Sequence, residues 1–118
     1  MQIIRKFTFD AAHYLPSYHG KCERLHGHTY RMSVKVDGKP DYEGMVMDFA
    51  EMKKIVNEKV IEQLDHKMLN DIFDVPSAEN IAIWVWNTLK PCIDTESRKL
   101  DEVEIWETES NGCVYRGN

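Results

Sequence analysis

Between Tyr30 and Asp37 the chain alternates without a fault: Tyr30, Met32, Val34 and Val36 are apolar, and Arg31, Ser33, Lys35 and Asp37 are polar. A period of two belongs to an extended strand, whose successive side chains point to opposite faces. One face of this strand must be buried and the other wet or cross-paired. Whatever the chain folds into therefore contains a two-faced sheet and apolar elements to cover one side of it. Two helices supply the cover. Phe49, Met52, Val56, Val60 and Leu64 recur at spacings of three and four, which makes an amphipathic stripe. Asp48 reads as its N-cap, with Glu51 at the third helical position completing a capping-box-like pair, and the helix is expected to reach about Leu64. A second helix is expected from Pro76-Ser77, since Pro suits a helix entrance and Ser a cap. Its inner face is Ile81, Val85 and Leu89, with Trp84 alongside.

Further strands stand at both ends. From Gln2 to Asp10, Ile3, Phe7 and Phe9 share one face and Gln2, Lys6 and Thr8 the other, while Ile4 and Arg5 break the pattern. Breakers Pro16, Ser17 and Gly20 mark a loop from about Leu15 to Arg24, and Gly38, Pro40 and Gly44 a second connection. Late in the chain Val103, Ile105 and Glu107 alternate with Glu104, Trp106 and Thr108. Asn111-Gly112 lies between the strand-like runs WETE and CVYR, a composition that suits a two-residue type I′ turn and predicts a terminal hairpin. The order strand, strand, helix, helix, strand, strand predicts an α+β fold: a four-stranded antiparallel sheet with two helices on one face. No repeat, low-complexity tract or Ser/Gly linker interrupts residues 1–118, so a single domain is expected.

Size and charge narrow the function. A chain of 118 residues can bury one core but is too short to hold a deep cleft between two domains. A large active site must be shallow or be completed by a second copy. The net charge of −5 lacks the basic footprint of a general nucleic-acid binder. No apolar run approaches the roughly 20 residues of a membrane span. The N-terminal segment is charged and alternating rather than continuously apolar, unlike a signal peptide. Cys22, Cys92 and Cys113 make no even-numbered disulfide framework, so a cytoplasmic location is expected.

Several residues bear chemistry. His26 and His28 are two apart and project to one side of an extended chain; if the first two strands pair, His13 lies at the same end of the ladder. Three imidazoles converging with an open fourth position suit a catalytic zinc site; surface or hydrogen-bonded core histidines are the plainer reading. Cys22, four residues before His26, is a candidate nucleophile or base if its pKa is depressed by a metal or by Lys21; it could equally be a fourth ligand or a spectator. Adjacent Asp65 and His66 invite a proton relay, against which stands a helix C-terminus with His66 facing the dipole. Glu107 shares an inward strand face with Val103 and Ile105, where a carboxylate must meet a donor, either internal or on a ligand. Glu102 and Glu104 are expected to be a solvated acidic edge, and Cys92 and Cys113 ordinary small apolar residues.

The stretches FDAAHYL, CERLHGHTY, GMVMDFAEMK, LDHKMLN, VPSAENIAIWVW and WETESNGCVYRG together resemble the 6-pyruvoyl-tetrahydropterin synthase family over nearly the whole chain. The three residues between Cys22 and His26 resemble its bacterial and archaeal 6-carboxy-tetrahydropterin synthase branch, since the pyruvoyl branch has a longer gap. The resemblance implies the tunnelling fold, in which sheets of three copies join into a barrel and two trimers stack into a homohexamer with interfacial active sites. It implies Zn2+ on His13, His26 and His28, Cys22 as proton acceptor, Asp65 and His66 as its relay, and Glu107 as anchor of the pterin ring. The implied reaction is a carbon–carbon lyase step in queuosine biosynthesis, turning 7,8-dihydroneopterin triphosphate into 6-carboxy-tetrahydropterin, acetaldehyde and triphosphate. The alternatives are a pyruvoyl-type synthase, which eliminates triphosphate without cleaving the carbon chain, and a non-enzymatic zinc-binding oligomerisation module. Neither nucleic acid nor membrane is an expected partner.

Overall fold

The structure, a computed structural model, describes residues 1–21 and 23–118. Strands β1 (Gln2–His13) and β2 (His26–Gly38) form its spine. They are antiparallel and in register throughout, from Gln2 opposite Asp37 to His13 opposite His26. After them come helix α1 (Phe49–Val56), a π-helical turn (Asn57–Ile61) and α2 (Glu62–Leu64), which run on as one helical body. Then follow a short strand β3 (Lys67–Met68), helix α3 (Ala78–Ile93) and strands β4 (Arg98–Trp106) and β5 (Gly112–Tyr115). The sheet order is β3-β1-β2-β4-β5, so the sheet has five strands where the alternation predicts four. The extra strand is parallel, pairing Ala11 with Lys67 and Ala12 with Met68. Two residues cannot display a period, and here the pairing comes from outside the strand: the Asp65 carboxylate and the His66 amide both bond to the Asp10 backbone and lay the chain against β1.

Alternation decides which side the helices cover. Phe9, Ala11, Tyr30, Met32, Val34, Val36, Leu100, Val103 and Ile105 are all buried and form the floor of the core. Of the two residues that break the pattern in β1, Ile4 falls on the open face, 48% exposed. Arg5 lies on the covered side, its guanidinium carbon 5.8 Å from the centre of the Phe7 ring. The ladder shifts register between Lys35 and Val36, so one residue of β4 bulges and both Leu100 and Val103 turn inward. Glu102 stands opposite Lys35 at the last pair before the shift. Glu102 is then not a solvated edge residue: it is buried, 2.5 Å from Lys35 Nζ and 2.7 Å from an Arg116 guanidinium nitrogen. Those two cations hold its carboxyl down to about 2. Glu104 is tied in too, accepting from the Trp106 indole at 3.0 Å and lying 2.8 Å from Lys35.

In the first helical body Asp48 caps the Ala50 amide at 2.8 Å, while Glu51 turns outward to Arg98 rather than closing a capping box. Phe49 leaves the predicted stripe and is 48% exposed. Met52, Val56, Val60 and Leu64 are fully buried although each stands four residues from the last. In an ideal α-helix that spacing drifts by about 40° per step. The wider π turn at Asn57–Ile61 absorbs the drift and keeps the stripe on the sheet. In α3, Ser77 caps the Asn80 amide at 3.1 Å, and Ile81, Val85 and Leu89 are buried as their spacing predicts.

The terminal hairpin differs from a two-residue turn. Trp106 pairs with Gly112, leaving a loop of residues 107–111. The Thr108 hydroxyl closes it by accepting from the amides of Ser110 and Asn111. Gly112 is required by contact rather than by turn geometry, because a Cβ there would sit 2.3 Å from the Trp106 ring. No helix of the described residues is long and apolar enough to cross a membrane.

Candidate active site

The register of β1 and β2 assembles the histidines. His13 faces His26 directly, and His28 stands two residues further along the same face of β2. The ring centres are 4.7 to 5.1 Å apart, each pair edge to face. One ligating atom from each residue lies within 4.8 Å of the others. His13 Nδ1 is 2.7 Å from the Pro76 carbonyl, and His26 Nδ1 is 2.8 Å from the Arg24 carbonyl. A ring nitrogen facing a carbonyl carries the proton, which leaves Nε2 of each ring as a free lone pair. The Nε2 atoms of His13 and His28 are buried and have no hydrogen-bond partner among the described residues. Buried polar atoms left this way call for an occupant. Neutral imidazoles are what a divalent transition metal uses as ligands, and backbone carbonyls orient two of these three, so the residues present fit zinc. Burial lowers the pKa of His28 against the pull of Glu107, and His13 and His26 lower it further. At neutral pH the ring is in its unprotonated, ligating form.

Beneath the trio lies Tyr30, stacked on Phe9 at 4.9 Å and edge-on to His28 at 5.4 Å. Its hydroxyl is buried without a partner among the described residues, and burial together with Glu107 pushes its pKa up, so it stays a neutral donor. Glu107 lies one residue beyond β4 rather than within it, because Trp106 is the last paired residue. The covered side still claims it: Glu107 is half-buried, and its charge is felt by both His28 and Tyr30.

Asp65 and His66 do touch. Asp65 follows α2 and accepts the Asp10 amide at 2.9 Å with one oxygen, while the other lies 3.0 Å from His66 Nδ1. The Asp10 N–H, and after it His66, hold the Asp65 carboxyl below the usual carboxylate range. The contact depends on a left-handed backbone at His66 (φ +58°), uncommon outside glycine, pinned by the His66 amide bonding to the Asp10 carbonyl at 2.6 Å. The His66 ring is largely exposed and belongs to a second cluster with Asp10 and Asp65. Asp10 alternates with Ala11 along β1, so this cluster lies on the open side of the sheet and the histidine trio on the helix side. A single chain does not bring the two together.

Cys22 lies outside the described residues. Cys92 and Cys113 are half-buried free thiols, and burial raises that of Cys113, in keeping with an apolar role. Sequence reasoning missed Asp10, Tyr30 and the carbonyls of Arg24 and Pro76. Tyr30 had a signal, sharing the parity of His26 and His28 along β2; backbone carbonyls have none.

Comparison with known proteins places this arrangement. The family model described as 6-pyruvoyl tetrahydropterin synthase matches residues 2–118. A 6-carboxy-5,6,7,8-tetrahydropterin synthase of Haemophilus influenzae is 32% identical, with 98% of each chain covered. A dihydroneopterin monophosphate aldolase of Pyrococcus furiosus is 40% identical over 90% of this chain and 89% of its own. The solved 6-pyruvoyl tetrahydropterin synthase of Caenorhabditis elegans superposes with a TM-score of 0.87 at 34% identity, covering 100% of this chain and 96% of the other. With its whole sheet, both helical bodies and the three-histidine cluster inside that match, the chain belongs to the 6-pyruvoyl tetrahydropterin synthase family.

Proposed function

We propose that the chain is a zinc-dependent 6-carboxy-tetrahydropterin synthase, converting 7,8-dihydroneopterin triphosphate to 6-carboxy-tetrahydropterin, acetaldehyde and triphosphate for 7-deazaguanine and queuosine synthesis. The observation that carries the reading is the converging trio of imidazoles beside a half-buried carboxylate, with His13 and His26 oriented by backbone carbonyls and the Nε2 atoms of His13 and His28 buried without a partner among the described residues. The near full-length likeness to the Haemophilus influenzae enzyme and the short gap between Cys22 and His26 support the choice of branch.

In this reading His13, His26 and His28 hold zinc, which when bound acts as a Lewis acid that acidifies the hydroxyls of the substrate side chain. Glu107 accepts the paired N–H donors on the guanidine-like edge of the pterin and so fixes the ring. Cys22 takes a proton from the side chain as thiolate. His66 moves the matching proton: its Nδ1 is held by Asp65, so Nε2 is the atom that exchanges. The trio and the Asp65–His66 pair lie on opposite sides of one sheet, so a complete site takes His66 from a neighbouring copy, in keeping with a homohexamer that shares active sites between copies.

Product analysis with the purified protein tests this. Acetaldehyde released in step with triphosphate is the expected result, and turnover without acetaldehyde rules out the lyase. Such a result would favour the pyruvoyl-type reaction, the activity named for the Caenorhabditis elegans relative. Turnover restricted to dihydroneopterin monophosphate would favour the aldolase activity named for the Pyrococcus furiosus relative.

A further inference from the structure

The acidic chain must still meet a triphosphate, and its open face carries the cations for it. On that face Thr8 stands opposite Arg31 and Lys6 opposite Ser33, so Lys6 and Arg31 are diagonal neighbours across β1 and β2. Cross-strand diagonals lie about 7–8 Å apart, within common reach of long side chains. The third cation of the row, Lys35, is fully engaged by Glu102 and Glu104. Among the described residues Lys6 and Arg31 have neither an ion pair nor a side-chain hydrogen bond, although the chain has 20 acidic residues against 15 basic ones. They line a depression of about 630 Å³ with Thr8, Ser33 and Trp106. Its acidic neighbours are accounted for: Glu104 is paired, and Glu109 is exposed at the rim. A second hollow of about 590 Å³ adjoins along β1 and β2, lined by Asp10, Thr29, His66 and Lys67. Thr29 ties up the Asp10 carboxylate by donating to it at 2.5 Å.

The row has an order. His66 stands beside Asp10 and Thr29; Thr8 and Arg31 are the next pair on this face, and Lys6 and Ser33 the pair after that. Each step of two residues is about 6.7 Å. A linear phosphate chain attached to a carbon chain at His66 would meet Arg31 first and Lys6 last.

We infer that the open face between His66 and Lys6 is the phosphate subsite, with Arg31 and Thr8 holding the phosphates nearest the carbon chain and Lys6 the terminal one. The inference rests on the proposed substrate being a phosphorylated neopterin acted on at His66. It makes Lys6 the residue that distinguishes a triphosphate from a monophosphate, because only the longer arm reaches it.

The test is calorimetric titration of the purified zinc-loaded protein with inorganic triphosphate and with inorganic phosphate, alongside kinetics on dihydroneopterin triphosphate. Variants are Lys6→Ala, Arg31→Ala and the pair, with Lys39→Ala as an exposed cation beyond the end of β2. Each subsite substitution is expected to weaken triphosphate about tenfold, the size of one charge-assisted bond. Only Arg31→Ala should weaken inorganic phosphate, and Lys39→Ala should change neither. Binding of unphosphorylated dihydroneopterin should be the same in all. Triphosphate affinity unchanged in the double variant, or equally weakened by Lys39→Ala, overturns the subsite. Loss of triphosphate binding in a protein that turns over no neopterin triphosphate would keep the subsite and reject the proposed reaction. Full turnover with unchanged KM in the double variant would do the reverse.

Discussion

At the scale of residues, the site is a set of polar atoms whose partners are half supplied. His13 has its Nδ1 satisfied and its Nε2 bare, and that asymmetry is what a metal ligand needs. His13→Ala or His28→Ala is expected to lower zinc content per chain to background by elemental analysis while leaving the fold intact. Retained stoichiometric zinc would move the metal elsewhere. Glu107→Ala should raise KM for the pterin at least tenfold with zinc retained, and an unchanged KM would contradict an anchoring role. The trio was legible in the sequence because a spacing of two on a strand puts side chains on one face whatever surrounds them. Asp65 and His66 were legible only as neighbours: that they touch depends on a left-handed backbone at His66, set by Asp10, 55 residues before Asp65. Glu107 was read on the right side of the sheet but one residue too far into the strand. The hairpin was read correctly but its turn was not, because the glycine after Asn111 answers the Trp106 ring and not a two-residue turn. Gly112→Ala should therefore cost about 1–3 kcal/mol by overpacking, read as a lower midpoint in urea.

At the scale of elements, two devices join parts that have no sequence period in common. The π turn keeps residues spaced by four on one side of the helix, so Leu64→Ala should destabilise by about 2–5 kcal/mol despite lying in the last turn before Asp65. Next to the bulge in β4, Glu102 sits between Lys35 and Arg116. Its carboxyl titrates at about 2 in the fold, against an ordinary 4.5. A depressed carboxylate stabilises the fold above its unfolded pKa, and that stability is lost as pH falls from about 4.5 toward 2. Glu102→Gln should flatten the acid limb of a stability-against-pH curve over that window, while the neutral-pH stability falls. An unchanged acid limb would place the titration on another group. The two long strands and both helical bodies were legible because their periods run for many residues. Strand β3 and the π turn were not, since each is a response to a neighbour.

At the scale of the whole molecule, the chain is more open than a compact globule of its size. Its radius of gyration is 15.2 Å where a compact chain of this length has about 13.5 Å. Its accessible surface is 7208 Å² where about 6,600 Å² is usual for its mass. The excess includes an uncovered sheet face and a β1 edge that β3 covers only at Ala11 and Ala12. If active sites are shared between copies, mixing an inactive His13→Ala protein with an inactive His66→Ala protein should restore a fraction of the activity, because some mixed interfaces carry neither substitution. Mixtures as dead as their parents would show that each chain works alone. The bare edge of β1 has a consequence for how the protein comes into being. Residues 2–9 offer donors and acceptors with no strand beside them among the described residues, the kind of edge that recruits any available strand. A newly made chain is thus in a race between its proper neighbour and every other exposed edge around it. The quality of the product should depend on the rate of synthesis, with slow expression giving a larger soluble, active fraction than fast expression of the same total amount.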